Sequence, residues 1–376
     1  MGSSMSIPAN YPYGVYYAGD QVFVNKSEAL IHASRYNLDV QWKFHNTVFG
    51  AMDWTRRPPG SIETLYRERA QQIRDSYDYV IVHFSGGSDS WTVLDSFLSN
   101  GIKVDEIYTR WSFKEGDYKT PNAQDRREYN IFSEYHYAVK PVLDEIAKTH
   151  PDINICIDDE TEEYHRELNE QTFVDNSGHY LCAGTHHRFS RKSPGERQAV
   201  RQGQRVAVVY GFDKIQCLAQ NGKFYAYFAD RCGGTASDPE RSVEFFYWST
   251  RLPELPVMAA HLLRDFYLTQ PKNVVRDEDY LRESYVATCY PRYNLKTFQV
   301  HKPAGSEIWA SKLWLHEYSP EYMKSWQWHV NQYTNSIDAR FCKIFGEKLR
   351  VGYQWFRSPL YYIGTFDTDV NFDFTH

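Results

Sequence analysis

The chain predicts an α/β protein: a parallel-sheet domain with an N-terminal α+β extension and a mainly helical, aromatic-rich C-terminal region. Three observations lead there. Residues 78–100 (DYVIVHFSGGSDSWTVLDSFLSN) read as a buried β-branched strand, a glycine-serine turn and an amphipathic helix. Apolar runs of strand length recur at 105–111, 153–157 and 205–210 with helical spacing between them, the rhythm of parallel strands joined by crossovers. Beyond Gly233-Gly234 the composition shifts to an aromatic-rich stretch holding Trp309, Trp314, Trp326, Trp328 and Trp355. Three segments follow: 5–75, 76–235 and 236–376, with Met1-Gly2-Ser3-Ser4 read as an artificial leader.

Bulk properties narrow the class. Apolar content of 42% and charge of 24% over 376 residues are ordinary for a globular protein. Thirty tyrosines and 10 tryptophans are a surplus of side chains favoured at interfaces, so self-association is expected. A net charge of −6 argues against a general nucleic-acid coat, which needs excess cations. No run reaches the ~18–20 apolar residues of a membrane span, and no signal peptide is expected. Six scattered cysteines without a C-x-x-C pair suit reduced thiols in a cytoplasmic protein.

Taken in order, residues 11–24 read as a hairpin turning at Gly19-Asp20, and Ser27 as the cap of a helix over 28–36. Aromatic residues Trp42, Phe44, Phe49 and Trp54 then cluster. Ser61 opens a helix to about Asp75, with Leu65, Ala70 and Ile73 inward and Arg67, Arg69 and Arg74 expected on the solvated face. After the helix that ends at Asn100-Gly101, the polar loop 113–127 is long enough to be a lid. Pro141 kinks or divides a helix over 130–149. Ser193-Pro194 start a helix over 195–201, and Asn221-Gly222 turn a hairpin expected at the edge of the sheet. Further helices are expected after Pro253 or Pro256 and around 279–286, 306–316 and 320–348.

The chemistry concentrates at Ser85-Gly86-Gly87-Ser88-Asp89-Ser90. A helix N-terminus behind two glycines offers free N–H groups and a positive dipole end to phosphate oxygens. The serines add hydroxyl donors, and Asp89 adds a carboxylate suited to Mg²⁺. Neither a Walker A loop nor a G-x-G-x-x-G turn occurs.

The pattern S-G-G-x-D-S after an apolar strand resembles the pyrophosphate loop (PP-loop) of the N-type ATP pyrophosphatases, the adenine nucleotide alpha hydrolase-like superfamily. Asparagine synthetase, GMP synthetase, NAD synthetase, tRNA thiolases and PAPS reductase share that loop. The resemblance implies a Rossmann-like, HUP-type fold and binding of ATP with Mg²⁺. It gives Ser85, Gly86, Gly87, Ser88, Asp89 and Ser90 to the phosphates and, more loosely, Tyr108 and Thr109 to the adenine pocket. Gly211-Phe212-Asp213-Lys214 is similar to the glycine-and-acid turn of asparagine synthetase, though its spacing is shorter and lysine replaces glutamate. Asp213 is then a second metal ligand beside Asp89, and Lys214 a catalytic phosphate contact. Over the whole chain, and most at 61–107 and 205–230, the sequence also resembles uncharacterised phage proteins of the asparagine synthase-like kind.

Other clusters carry alternatives. Between Arg188 and Arg205 six cations face the single Glu196. Arg188 is a candidate for transition-state charge, Arg191 and Lys192 for phosphate contact, against a solvated helix face. Asp158-Asp159-Glu160 with Glu162-Glu163 read as a second-metal or amine site or as a solvated acidic loop. Cys182 with His186-His187 lacks the second half of a zinc site.

The expected activity is ATP-dependent adenylation of a small-molecule or nucleotide acceptor, releasing AMP and PPi, with ammonia or an amine as nucleophile. No cysteine precedes Cys156, so a glutaminase domain is not expected; no paired cysteines suggest sulfur transfer. The last cysteine, Cys342, lies too far from the C-terminus for PAPS reduction, and the cysteine cluster of a deazapurine synthase is missing. The competing class is a nucleotide-binding structural or regulatory protein without turnover.

Overall fold

The computed structural model describes residues 14–24, 26–111, 139–159, 191–211, 214–230, 240–274, 276, 278–293 and 356–373. Near the N-terminus, β1 (Val15–Ala18), β2 (Gln21–Phe23) and β3 (Val40–Lys43) form an antiparallel sheet in the order β2-β1-β3. The hairpin turns at Gly19-Asp20 as expected. Helix α1 (Lys26–Tyr36) begins one residue before Ser27, which therefore lies in its first turn and not at the cap. Strand β3 was not foreseen: Trp42 sits in it, and α2 (Asn46–Phe49) follows.

Helix α3 (Ile62–Ser76) is capped by Ser61, whose hydroxyl accepts from the Thr64 N–H at 3.3 Å. Leu65, Ala70 and Ile73 are buried in it as expected. The expectation for its arginines needs correction. Arg67 is exposed, but Arg69 is only 1% exposed and donates to Glu244 Oε2 at 2.6 Å and to the Phe245 carbonyl at 2.9 Å. A guanidinium can be buried when carboxylate and carbonyl acceptors meet it, which periodicity alone does not reveal.

The central sheet is parallel throughout. It comprises β4 (Tyr79–His83), β5 (Glu106–Trp111), β6 (Asn154–Asp159), β7 (Val206–Tyr210) and β10 (Arg241–Phe245) in the order β10-β7-β4-β5-β6. Numbered by appearance this is 5-4-1-2-3, a doubly wound order. All five residues of β7 are buried, as its unbroken apolar run requires. Helix α4 (Ser88–Leu98) links β4 to β5 and ends before Gly101, whose φ of 64° takes the chain into the left-handed region. Helix α5 (Lys140–Thr149) has Pro141 in its first turn, where a missing N–H costs nothing; residues 130–138 lie outside the described part. Helix α6 (Pro194–Arg201) is capped as expected, the Ser193 hydroxyl accepting from the Glu196 N–H at 2.9 Å.

The Asn221-Gly222 hairpin forms with φ of 52° and 73° at its two turn residues, joining β8 (Gln216–Gln220) to β9 (Lys223–Tyr227). It does not extend the parallel sheet. With β11 (Tyr361–Thr365) and β12 (Phe372–Asp373) it makes a separate antiparallel sheet, ordered β11-β9-β8-β12. With β10, three described strands therefore come from the region expected to be mainly helical, which also holds α7 (Glu254–Thr269) and α8 (Glu278–Cys289). The helices expected at 306–316 and 320–348 lie outside the described residues.

The three segments share one core. Phe44 packs on Phe228 at 4.7 Å and on Trp248 at 4.6 Å between ring centroids, and Trp54 stacks on Tyr361 at 4.4 Å. Strand β10 lies beyond residue 235, so the parallel sheet runs past the break drawn there.

Candidate functional site

The order of strands reverses direction between β4 and β7: the chain adds β5 and β6 on one side of β4, then returns to add β7 and β10 on the other. In open α/β sheets the crevice at the carboxyl end of such a pair is where ligands sit. The Ser85–Ser90 loop after β4 meets there Gly211 and Lys214, which follow β7. Phe212 and Asp213 lie outside the described residues, so the expected pairing of Asp213 with Asp89 falls outside them too. The same holds for Arg188.

The loop's shape follows from its residues. Gly86 has φ of 77°, where a side chain would be strained, and Gly87 is the N-cap of α4. Ser90, 5% exposed, braces the turn: its hydroxyl accepts from the Ser85 N–H at 3.1 Å and donates to the Gly87 carbonyl at 3.1 Å. Among the described residues no acceptor meets the N–H groups of Gly86, Gly87, Ser88 and Asp89. Successive open N–H groups of this kind form an anion-binding concavity, reinforced by the helix dipole.

Asp89 and Lys214, expected from the two turns separately, meet. Lys214 Nζ donates to Asp89 Oδ1 at 2.7 Å, with 14% and 29% of the two side chains exposed. Two residues that sequence reasoning did not single out complete the arrangement. The Tyr290 hydroxyl donates to the same Oδ1 at 2.6 Å, and the Tyr247 hydroxyl donates to the Asp89 carbonyl at 2.6 Å. Burial pushes both hydroxyls well above the ordinary tyrosine range, so they remain O–H donors. Nothing in their local sequence marks them, since Tyr290 is one of 30 tyrosines. Gly211 is required where β7 ends: a Cβ there would lie 2.9 Å from the Asp89 carbonyl carbon and oxygen.

The remaining expected residues are elsewhere. Tyr108 and Thr109 are each 2% exposed, and their side chains work inside the protein. The Tyr108 hydroxyl donates to Asp158, and Thr109 Oγ1 donates to the Phe84 carbonyl at 2.8 Å, fixing the residue before the loop. Arg191 pairs with Asp158 through two contacts of 2.8 Å, and Lys192 pairs with Glu240. Both line a cleft of about 560 Å³ beside β6, together with Cys156 and Arg197. The carboxylates these two cations pair with are Asp158 and Glu240, whereas Asp89 pairs with Lys214. Asp158 of the acidic stretch is thus engaged with a guanidinium and a phenol. Among the described residues no three His, Cys, Asp or Glu side chains gather in one place.

Burial raises the Cys156 thiol to about 11 and the Cys289 thiol to about 12, so both stay protonated near neutral pH and unsuited to nucleophilic roles. Among the described residues no helix is long and apolar enough to cross a membrane. No family model matches the chain, and no curated protein matches it either.

Proposed function

We propose that the chain binds ATP in the crevice between β4 and β7 and cleaves it between the α- and β-phosphates to activate an acceptor. The observation that carries this reading is the open row of N–H groups from Gly86 to Asp89, set at the switch point of the sheet with the Lys214 ammonium beside it. A PP-loop of this kind holds the pyrophosphate by backbone N–H groups, while Lys214 neutralises charge that builds on the departing phosphates. Asp89 fits a Mg²⁺ ligand: its Oδ2 accepts no hydrogen bond among the described residues, and this ion needs one or two carboxylates alongside phosphate and water. When bound, the ion would add charge neutralisation at the phosphates.

The reaction balances as two displacements. An acceptor oxygen attacks the α-phosphorus, the bond to the α–β bridging oxygen breaks and pyrophosphate leaves. Ammonia or an amine then attacks the activated carbon, gives up a proton and expels AMP. The chain's part is to position the reactants and stabilise charge.

A second reading, nucleotide binding without turnover, is favoured by one observation: Lys214 already sits on Asp89. Product analysis separates the two. AMP and PPi formed from ATP with candidate acceptors support ligation; tight binding without products supports the regulatory role; ADP and phosphate as main products sink the pyrophosphatase reading. Asp89→Asn is nearly isosteric but leaves the Lys214 ammonium without its carboxylate, so a modest fall in the unliganded melting temperature is expected. The substitution should abolish the rise that ATP with Mg²⁺ produces, a stabilisation of about 2.7 kcal/mol at a hundredfold excess over Kd.

A further inference from the structure

The end of α8 is built against the loop. Tyr290, the residue after that helix, is 1% exposed and lies 201 positions from Asp89, yet its hydroxyl donates to Asp89 Oδ1. Its ring also flanks Lys214 Nζ at 5.7 Å, and Tyr285 flanks it from 4.9 Å. The Tyr285 hydroxyl donates to the Ile215 carbonyl at 2.8 Å, tying down the backbone beside Lys214. One short stretch of chain therefore touches both members of the Asp89–Lys214 pair.

We propose that Tyr290 is a positioning residue that fixes the plane of the Asp89 carboxylate so that one oxygen stays open to the nucleotide's metal ion, a role that rests on the nucleotide reading above. The two oxygens of a carboxylate are equivalent, and what its broad terminal torsion leaves undecided is the plane in which they point. Here Oδ1 takes two donors, from Lys214 and Tyr290, while Oδ2 takes none among the described residues. Lys214 cannot fix the orientation alone, because its ammonium sits on a flexible stem and is itself called on by phosphate. The phenol is different: its ring is buried, and it arrives from a helix end that is held independently by Tyr285. With Tyr290 in place, the open oxygen is held outward before the ion arrives. Partners one step removed from a metal typically change its affinity by 10–100-fold when lost.

The full-length chain with Tyr290→Phe tests this, since only one hydroxyl is lost and the ring packing is kept. The half-saturating Mg²⁺ concentration for the melting-temperature rise at fixed ATP is expected to increase about tenfold. ATP binding measured calorimetrically in EDTA should stay as in the wild type, and so should the unliganded melting curve. In an Asp89→Asn background the same change should have no further effect. Unaltered Mg²⁺ dependence in a wild-type-like Tyr290→Phe protein overturns the positioning role alone. So does a loss of metal-free ATP binding in step with the Mg²⁺ response, or a lowered unliganded melting temperature that accounts for it. A wild-type chain whose melting ATP and Mg²⁺ leave unmoved overturns the nucleotide reading, and this role with it.

Discussion

Gly211 and Gly86 look alike in the sequence but serve different needs. Gly86 supplies a left-handed backbone angle, whereas Gly211 supplies room, because the backbone of Asp89 and Ser90 passes within 3.0 Å of where its Cβ would stand. Those neighbours are main-chain atoms and cannot swing aside. Gly211→Ala is therefore expected to cost about 1–3 kcal/mol, the usual range for overpacking, and to push the loop off its N–H geometry. Chemical denaturation together with the ATP–Mg²⁺ melting response would check it; wild-type values in both would show that the crevice can open. The placement of Asp89 and Lys214 was legible because each follows the end of a buried strand. Tyr290 was not legible, because its partner is 201 residues away and nothing local distinguishes it.

Helix α6 shows how an element is seated on a sheet by a buried acid. Glu106 at the start of β5 is fully buried and accepts from the Tyr79 hydroxyl at 2.9 Å and the Asn154 amide at 3.2 Å. Gly195 in the first turn of α6 has no side chain because a Cβ would collide with this group, with the Tyr79 hydroxyl at 2.6 Å and the Asn154 amide nitrogen at 2.8 Å. Burial raises the Glu106 carboxyl above its ordinary 4.5, against the lowering effect of its hydrogen-bond donors. The folded state therefore binds this proton more tightly than the unfolded chain. Its contribution is fully present below about 4.5 and declines as pH rises through the folded value. Glu106→Gln, neutral at every pH, should gain in relative stability between pH 5 and pH 8. Urea midpoints at the two pH values would decide, and a constant difference between variant and wild type would contradict the account.

Across the whole molecule, the last described stretch does more than finish the chain. Strands β11 and β12 flank the β8–β9 hairpin and bury Tyr361, Ile363 and Phe372. At roughly 1.5–3 kcal/mol for each such side chain, their loss approaches the net stability of a typical domain, 5–15 kcal/mol. Deleting residues 356–376 is expected to abolish cooperative melting, followed by circular dichroism. A truncated chain that melts sharply at the wild-type temperature would show that the antiparallel sheet is dispensable. The aromatic cluster of Phe44, Phe228, Trp248 and Tyr361 points the same way, since it draws from every segment of the sequence.

What the sequence by itself determined was local and periodic. The β-branched runs of β4 and β7, the capping residues Ser61 and Ser193, the hairpin turn at Asn221-Gly222 and the glycine-serine loop all announce themselves within a few residues. They do so because backbone sterics, caps and alternation act over short distances. What the tertiary structure alone decided was every pairing between distant elements. Strand β10 joins the parallel sheet although three of its residues RSVEF are polar, because Arg241 and Glu244 meet oppositely charged partners in Glu196 and Arg69. Arg69 is buried because Glu244 waits 175 residues on, and the β8–β9 hairpin finds its neighbours more than 130 residues later in the chain. Burial of a charge or an edge depends on which partner arrives, and that partner is chosen by the packing of the whole chain.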